Sequence, residues 1–103
     1  MRKVKVFYKN DFAGILEETE NGFKFAYDDD FKRKKTPLSV SLPLGGSPFI
    51  SAKMFPFFEG LLPEGWYLDI ISAKYKIDKQ DTFGIMLATF GDTVGAVRIE
   101  EIK

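Results

Sequence analysis

Apolar and polar residues alternate from the first turn of the chain: Val4, Val6 and Tyr8 are interleaved with Lys3, Lys5 and Lys9, and only Phe7 breaks the pattern. A period of two is the signature of a half-buried strand. Asn10-Asp11 marks a turn, and Phe12 to Glu18 predicts a second strand carrying Ala13, Ile15 and Leu16. Gly14 inside it points to a bulge or to close approach by another backbone. Asn21-Gly22 is the strongest hairpin signal, because both residues accept the positive φ of a type I′ turn. Phe23, Phe25 and Tyr27 then alternate with Lys24 and Ala26, which predicts a third strand antiparallel to the second.

A polar connection follows from Asp28 to Lys35, with Phe31 as an anchor. Thr36 to Pro43 reads as another strand, with Leu38, Val40 and Leu42 on one face, Ser39 and Ser41 on the other, and prolines at its ends, where no ladder donor is needed. Gly45-Gly46-Ser47-Pro48 is a loop, and Phe49-Ile50-Ser51 a short extended segment. Met54 to Glu59 predicts one helical turn ended by Gly60. The longest helix opens at or beside Pro63, with Glu64 at the positive end of its dipole. Its apolar stripe is Trp66, Ile70, Ala73 and Ile77, widened by Tyr67, Leu68 and Ile71, and opposed by Asp69, Ser72 and Lys76. After a break at Asp78 to Asp81, Asp81 or Thr82 caps a second helix from about Phe83 to Phe90, ended by Gly91-Asp92. Val94, Ala96, Val97 and Ile99 predict a closing strand. The sum is an α+β fold: a mainly antiparallel sheet of five to six strands with two to three helices on one side, in a single domain over residues 1–103.

Composition narrows the chemistry. With 103 residues, 45% of them apolar and 11 of them Phe, the chain builds one core without staples. The 15 basic residues balance the 15 acidic ones, so no global field draws it to phosphate backbones or anionic membranes. Cys and His are both absent, which removes disulfides, the usual zinc sites and Ser-His or Cys-His nucleophiles. No apolar run is long enough to span a bilayer, Met1 to Lys9 lacks a signal-peptide core, and the expected location is the cytoplasm.

Each remaining candidate site has a plainer structural reading. Lys32-Arg33-Lys34-Lys35 directly follows Asp28-Asp29-Asp30, so a phosphate site there loses much of its field, and a solvated mixed-charge loop is favoured. The three acids point apart on either a helix or a strand, which argues against a Mg²⁺ site. Gly45-Gly46 lacks the spacing and the Lys of a phosphate-binding loop. Phe23, Phe25 and Tyr27 would be a stacking platform if exposed, but they alternate as a buried face does. The corner Pro63-Glu64-Gly65-Trp66 remains. Trp66 is placed to be either a core anchor, on the stripe with Ile70 and Ala73, or a projecting binding hot spot.

The order of short motifs resembles the opening subdomain of HipA-type kinases. The motifs are Phe12-Ala13-Gly14-Ile15-Leu16, Phe23-Lys24-Phe25-Ala26-Tyr27, Pro37 to Leu44, Phe57 to Gly65, and Gly91-Asp92-Thr93-Val94-Gly95-Ala96-Val97. The phosphoryl-transfer parts of a kinase do not follow them. The resemblance implies a toxin–antitoxin component without catalytic, cofactor-binding or metal-ligating residues. In split systems of this kind (HipBST-type), a separate small HipS-like subunit binds a shortened HipA- or HipT-like serine/threonine kinase in trans and restrains it. The implied partners are that kinase and, through the complex, a HipB-like DNA-binding antitoxin, with no direct nucleic-acid or membrane contact. The expected partner-contact residues are Pro63, Glu64, Gly65 and Trp66. Two alternatives stay open: a subdomain cut from a full-length kinase toxin, and a generic peptide- or nucleic-acid-binding module.

Overall fold

The computed structural model describes residues 1–89 and 96–102. Among the described residues five strands form one antiparallel sheet: β1 (Lys3–Tyr8), β2 (Asp11–Thr19), β3 (Gly22–Tyr27), β4 (Phe49–Ser51) and β5 (Val97–Ile102), in the order β4-β3-β2-β1-β5. Among the described residues four α-helices, α1 (Asp29–Lys32), α2 (Pro56–Glu59), α3 (Gly65–Tyr75) and α4 (Thr82–Thr89), and a 3-10 turn at Leu44–Gly46 accompany it. The α+β expectation holds, with two of the four helices being single turns. The predicted chain positions Phe90 to Gly95 lie outside the described residues.

Strand alternation decides which face is dry. Val4, Val6, Leu16, Phe25, Tyr27, Val97 and Ile99 are buried on one side of the sheet, and Phe31, Phe55, Phe58, Phe83 and Met86 from the helices and their approaches close over them. Phe58 is the hub of the aromatic part. Its ring meets those of Phe25, Phe57 and Phe55 edge-on at 5.4, 5.2 and 6.4 Å, separations and tilts at which aromatic quadrupoles attract.

The bulge expected at Gly14 is present: Val6 pairs with Gly14 and Phe7 with Phe12, leaving Ala13 as the extra residue. The second hairpin turns through Glu20-Asn21, since Thr19 pairs with Gly22. The pair of positive φ angles predicted there is instead at Lys9 (50°) and Asn10 (71°), in the β1–β2 turn. Gly22 serves a different purpose. At φ 152°, a Cβ on it would lie 2.1 Å from the carbonyl oxygen of Ser51, so only glycine lets β4 pair this closely.

The predicted strand over Thr36 to Pro43 is a tight turn. Leu42 N–H donates to the Ser39 carbonyl at 3.0 Å, and Val40, expected on one face with Leu38 and Leu42, is 97% exposed while those two are buried. The cause lies on β3. The buried Tyr27 hydroxyl donates to the Leu42 carbonyl at 2.5 Å and accepts from Leu38 N–H at 3.0 Å, fixing both ends of the turn. Burial pushes the Tyr27 phenol above its ordinary pKa.

Candidate partner-docking site

The corner grows from a core anchor. Phe58 and, in part, Leu61 and Leu62 sit on the hydrophobic core, and Gly60 ends α2. The chain then turns outward. Glu64 takes an extended conformation (φ −128°, ψ 165°) as the residue before α3, and its side chain makes no capping bond. Gly65, the first helical residue, has φ 55°, a left-handed value that glycine adopts without steric cost. Pro63 therefore lies outside the helix, not in its first turn.

The consequence is the direction of Trp66. Its side chain projects from the first turn of α3 and is 75% exposed, with the Tyr67 ring 6.1 Å away at a 51° tilt. Of the two readings open for Trp66, the core anchor is excluded. The stripe drawn through Trp66, Ile70 and Ala73 faces water, and Ile71 alone among α3 residues is buried. A groove of about 580 Å³ opens beside the corner, walled in part by Pro63, Glu64, Gly65, Leu68, Met54 and Ile85. Exposed aromatics (Trp66 and Tyr67) beside a recess of mixed polar and apolar lining form the kind of surface that marks protein contact.

The competing candidates resolve into structural roles. The Asp28 carboxylate accepts from Asp30 N–H at 3.1 Å and caps α1, while Asp29 and Asp30 pair with Lys32 and Arg33 one turn along. Lys34 bridges to Asp11 at 2.5 Å. The basic run is thus largely neutralised by its neighbours. Among the described residues, no cluster of three or more acidic side chains is arranged to hold a metal. Ser47 Oγ accepts from Tyr27 N–H at 3.0 Å, so the Gly-Gly loop props the sheet. Phe25 and Tyr27 are buried, which removes the stacking platform. Among the described residues no helix is long and apolar enough to cross a membrane.

One feature that carries no local sequence signal is an ion cluster at Arg2. Its guanidinium meets Glu18 at 2.5 and 2.9 Å and Asp81 at 2.7 and 3.3 Å. Hydrogen bonds from Arg2 hold the Glu18 and Asp81 carboxyls below their ordinary pKa values, and the two carboxylates raise that of Arg2. The partners are 16 and 79 residues away in sequence, beyond the reach of any spacing rule.

The fold recurs in known proteins. The HipA N-terminal domain family matches residues 4–100. An uncharacterized protein of Haemophilus influenzae is 40% identical over the whole chain, which spans 95% of that protein. The serine/threonine-protein kinase toxin HipA of Shewanella oneidensis is 32% identical over 80% of this chain, which spans 19% of the kinase. A solved N-terminal domain of HipA toxin superposes with a TM-score of 0.79 at 36% identity, covering all of this chain and 94% of that one. A chain of the solved complex of Shewanella oneidensis HipA, HipB and operator DNA shares the fold at a TM-score of 0.72 and 24% identity, over 93% of this chain and 23% of that one. Over nearly its full length, then, the chain belongs to the HipA N-terminal domain family.

Proposed function

We propose that the domain is a non-catalytic toxin–antitoxin component that binds a HipA-type serine/threonine kinase in trans and restrains it, docking through the corner Pro63-Glu64-Gly65-Trp66. The observation that carries this reading is the exposed indole of Trp66 on a helix that buries one side chain. A rigid ring that contributes nothing to its own core supplies large contact area at low entropy cost when a partner covers it. Two comparisons support it. The Haemophilus relative is matched over almost all of its length, while in the Shewanella toxin the same fold accounts for about a fifth of a kinase polypeptide. On this reading the domain supplies in trans what the longer proteins carry in cis. A HipB-like antitoxin, as in the solved Shewanella complex, is reached through the kinase.

The test is direct. The purified domain is titrated into a HipA-type kinase that lacks this subdomain, with calorimetry for binding and autophosphorylation as the readout of restraint. A complex forms and autophosphorylation falls. Trp66→Ala weakens binding by at least ~2 kcal/mol, roughly thirtyfold, with the melting temperature kept. Absence of a complex, or full autophosphorylation within it, refutes the reading.

A further inference from the structure

The docking corner is held from one side by Leu61 and Leu62 on the core. Its other side depends on α3, and α3 is poorly anchored: Ile71 is its one buried residue, and its main packing partner is α4. The pose of α3 is therefore inherited from α4. Helix α4 is itself seated by Phe83, Ile85 and Met86, and its start is fixed by a three-part clasp. Asp81 Oδ1 accepts from Gly84 N–H at 3.1 Å as the helix cap, and the same carboxylate is gripped by Arg2 through Nη1 and Nη2, while Nε and the shared Nη2 hold Glu18 near the end of β2. The Arg2 guanidinium also lies 5.3 Å from the centre of the Phe83 ring, within cation–π range. A Cβ on Gly84 would come 2.4 Å from Asp81 Oδ2 and 3.1 Å from Arg2 Nη1, so a side chain there would push the clasped carboxylate aside. From this loop Lys79 reaches back to Asp69 on α3.

From this geometry we infer that Arg2 is a positioning residue for the docking corner. By tying the start of β1 and the end of β2 to the cap of α4, it sets where α3 presents Trp66, although Arg2 itself touches no partner. This inference rests on the docking role of the corner, and the experiment separates the two. Because the chain has no Cys, spin labels at Lys5→Cys and Lys74→Cys report the sheet-to-α3 distance in the free domain. The distribution is narrow with Arg2, broadens in Arg2→Met, and is partly restored in Arg2→Lys, with the far-ultraviolet spectrum unchanged. Kinase binding weakens about tenfold in Arg2→Met, and the same change made in a Trp66→Ala background adds nothing. An unaltered distance distribution overturns the positioning role, as does strict additivity of Arg2→Met and Trp66→Ala, which would place Arg2 at the interface or leave it purely structural. If Trp66→Ala alone leaves binding intact, the docking assignment fails, while the distance measurement still decides whether Arg2 fixes α3.

Discussion

The sheet face under α2 and the outer surface of α3 are both rich in aromatic and branched residues, yet they use them in opposite ways. Phe25, Phe58 and Phe83 are essentially inaccessible, whereas Trp66 is 75% and Ile70 48% exposed. Sheet rings meet rings from the helices at 5.4 Å (Phe25 and Phe58), 5.7 Å (Tyr27 and Phe31) and 6.3 Å (Phe23 and Phe83), while among the described residues the ring beside Trp66 is that of Tyr67, its neighbour in sequence. Apolar character therefore marks the core in one region and available surface in the other. What separates them is the backbone that delivers each residue: strand pairing commits a side chain to a face, but a helix entered through an extended Glu64 and a left-handed Gly65 can turn its apolar stripe away.

That contrast can be broken by mutation. Phe58→Ala leaves a cavity at the hub of the aromatic cluster and costs about 3–5 kcal/mol, enough to unfold much of a small domain and easily seen in a denaturant melt. Gly22→Val comes next, since the residue would have to hold φ 152° and avoid the Ser51 carbonyl. A loss of about 1–3 kcal/mol is expected, with weakened protection of the Phe23–Ser51 pairing in amide exchange. Tyr27→Phe keeps the ring but strands Leu38 N–H and the Leu42 carbonyl, at a cost of about 1–3 kcal/mol by melting.

Acid sharpens the comparison on its polar side. Glu18 and Asp81 have folded pKa values below their unfolded ones, so their contribution is fully present above the unfolded values. It is lost as pH falls from about 5 through the folded pKa values. Arg2→Met should flatten that part of the stability-versus-pH curve while leaving the neutral region lower. The smallest effect falls on the exposed side: Trp66→Ala shifts stability by less than about 0.5 kcal/mol. A large shift there would mean that α3 is anchored through its outer face after all.

Much of this was legible in the order of residues. The alternation in β1 and β3, the cap at Asp81 and the glycine-marked bulge in β2 are local consequences of side-chain type, and they appear where the pattern put them. Thr36 to Pro43 failed because a period of two is equally compatible with a turn whose two apolar ends dip inward, and the hydroxyl that bends it lies on another strand. The stripe on α3 rests on the assumption that apolar means inward; in the structure Trp66, Ile70 and Ala73 face water, Ser72 from the opposing side is partly covered, and Lys76 and Ile77 lie beyond the helix. The four residues of the corner are contiguous, so their juxtaposition was never in doubt, whereas the projection of Trp66 depends on the backbone at Glu64 and Gly65. Arg2 was invisible, since nothing local connects residue 2 to residue 81.

The pairing of β5 with β1 sets Lys3 opposite Ile102, so the polypeptide enters and leaves the sheet at one shared margin. A further chain can be joined or severed beyond that margin without disturbing any of the five rungs. The same architecture is thereby equally at home as a detachable piece or as the leading segment of something much larger.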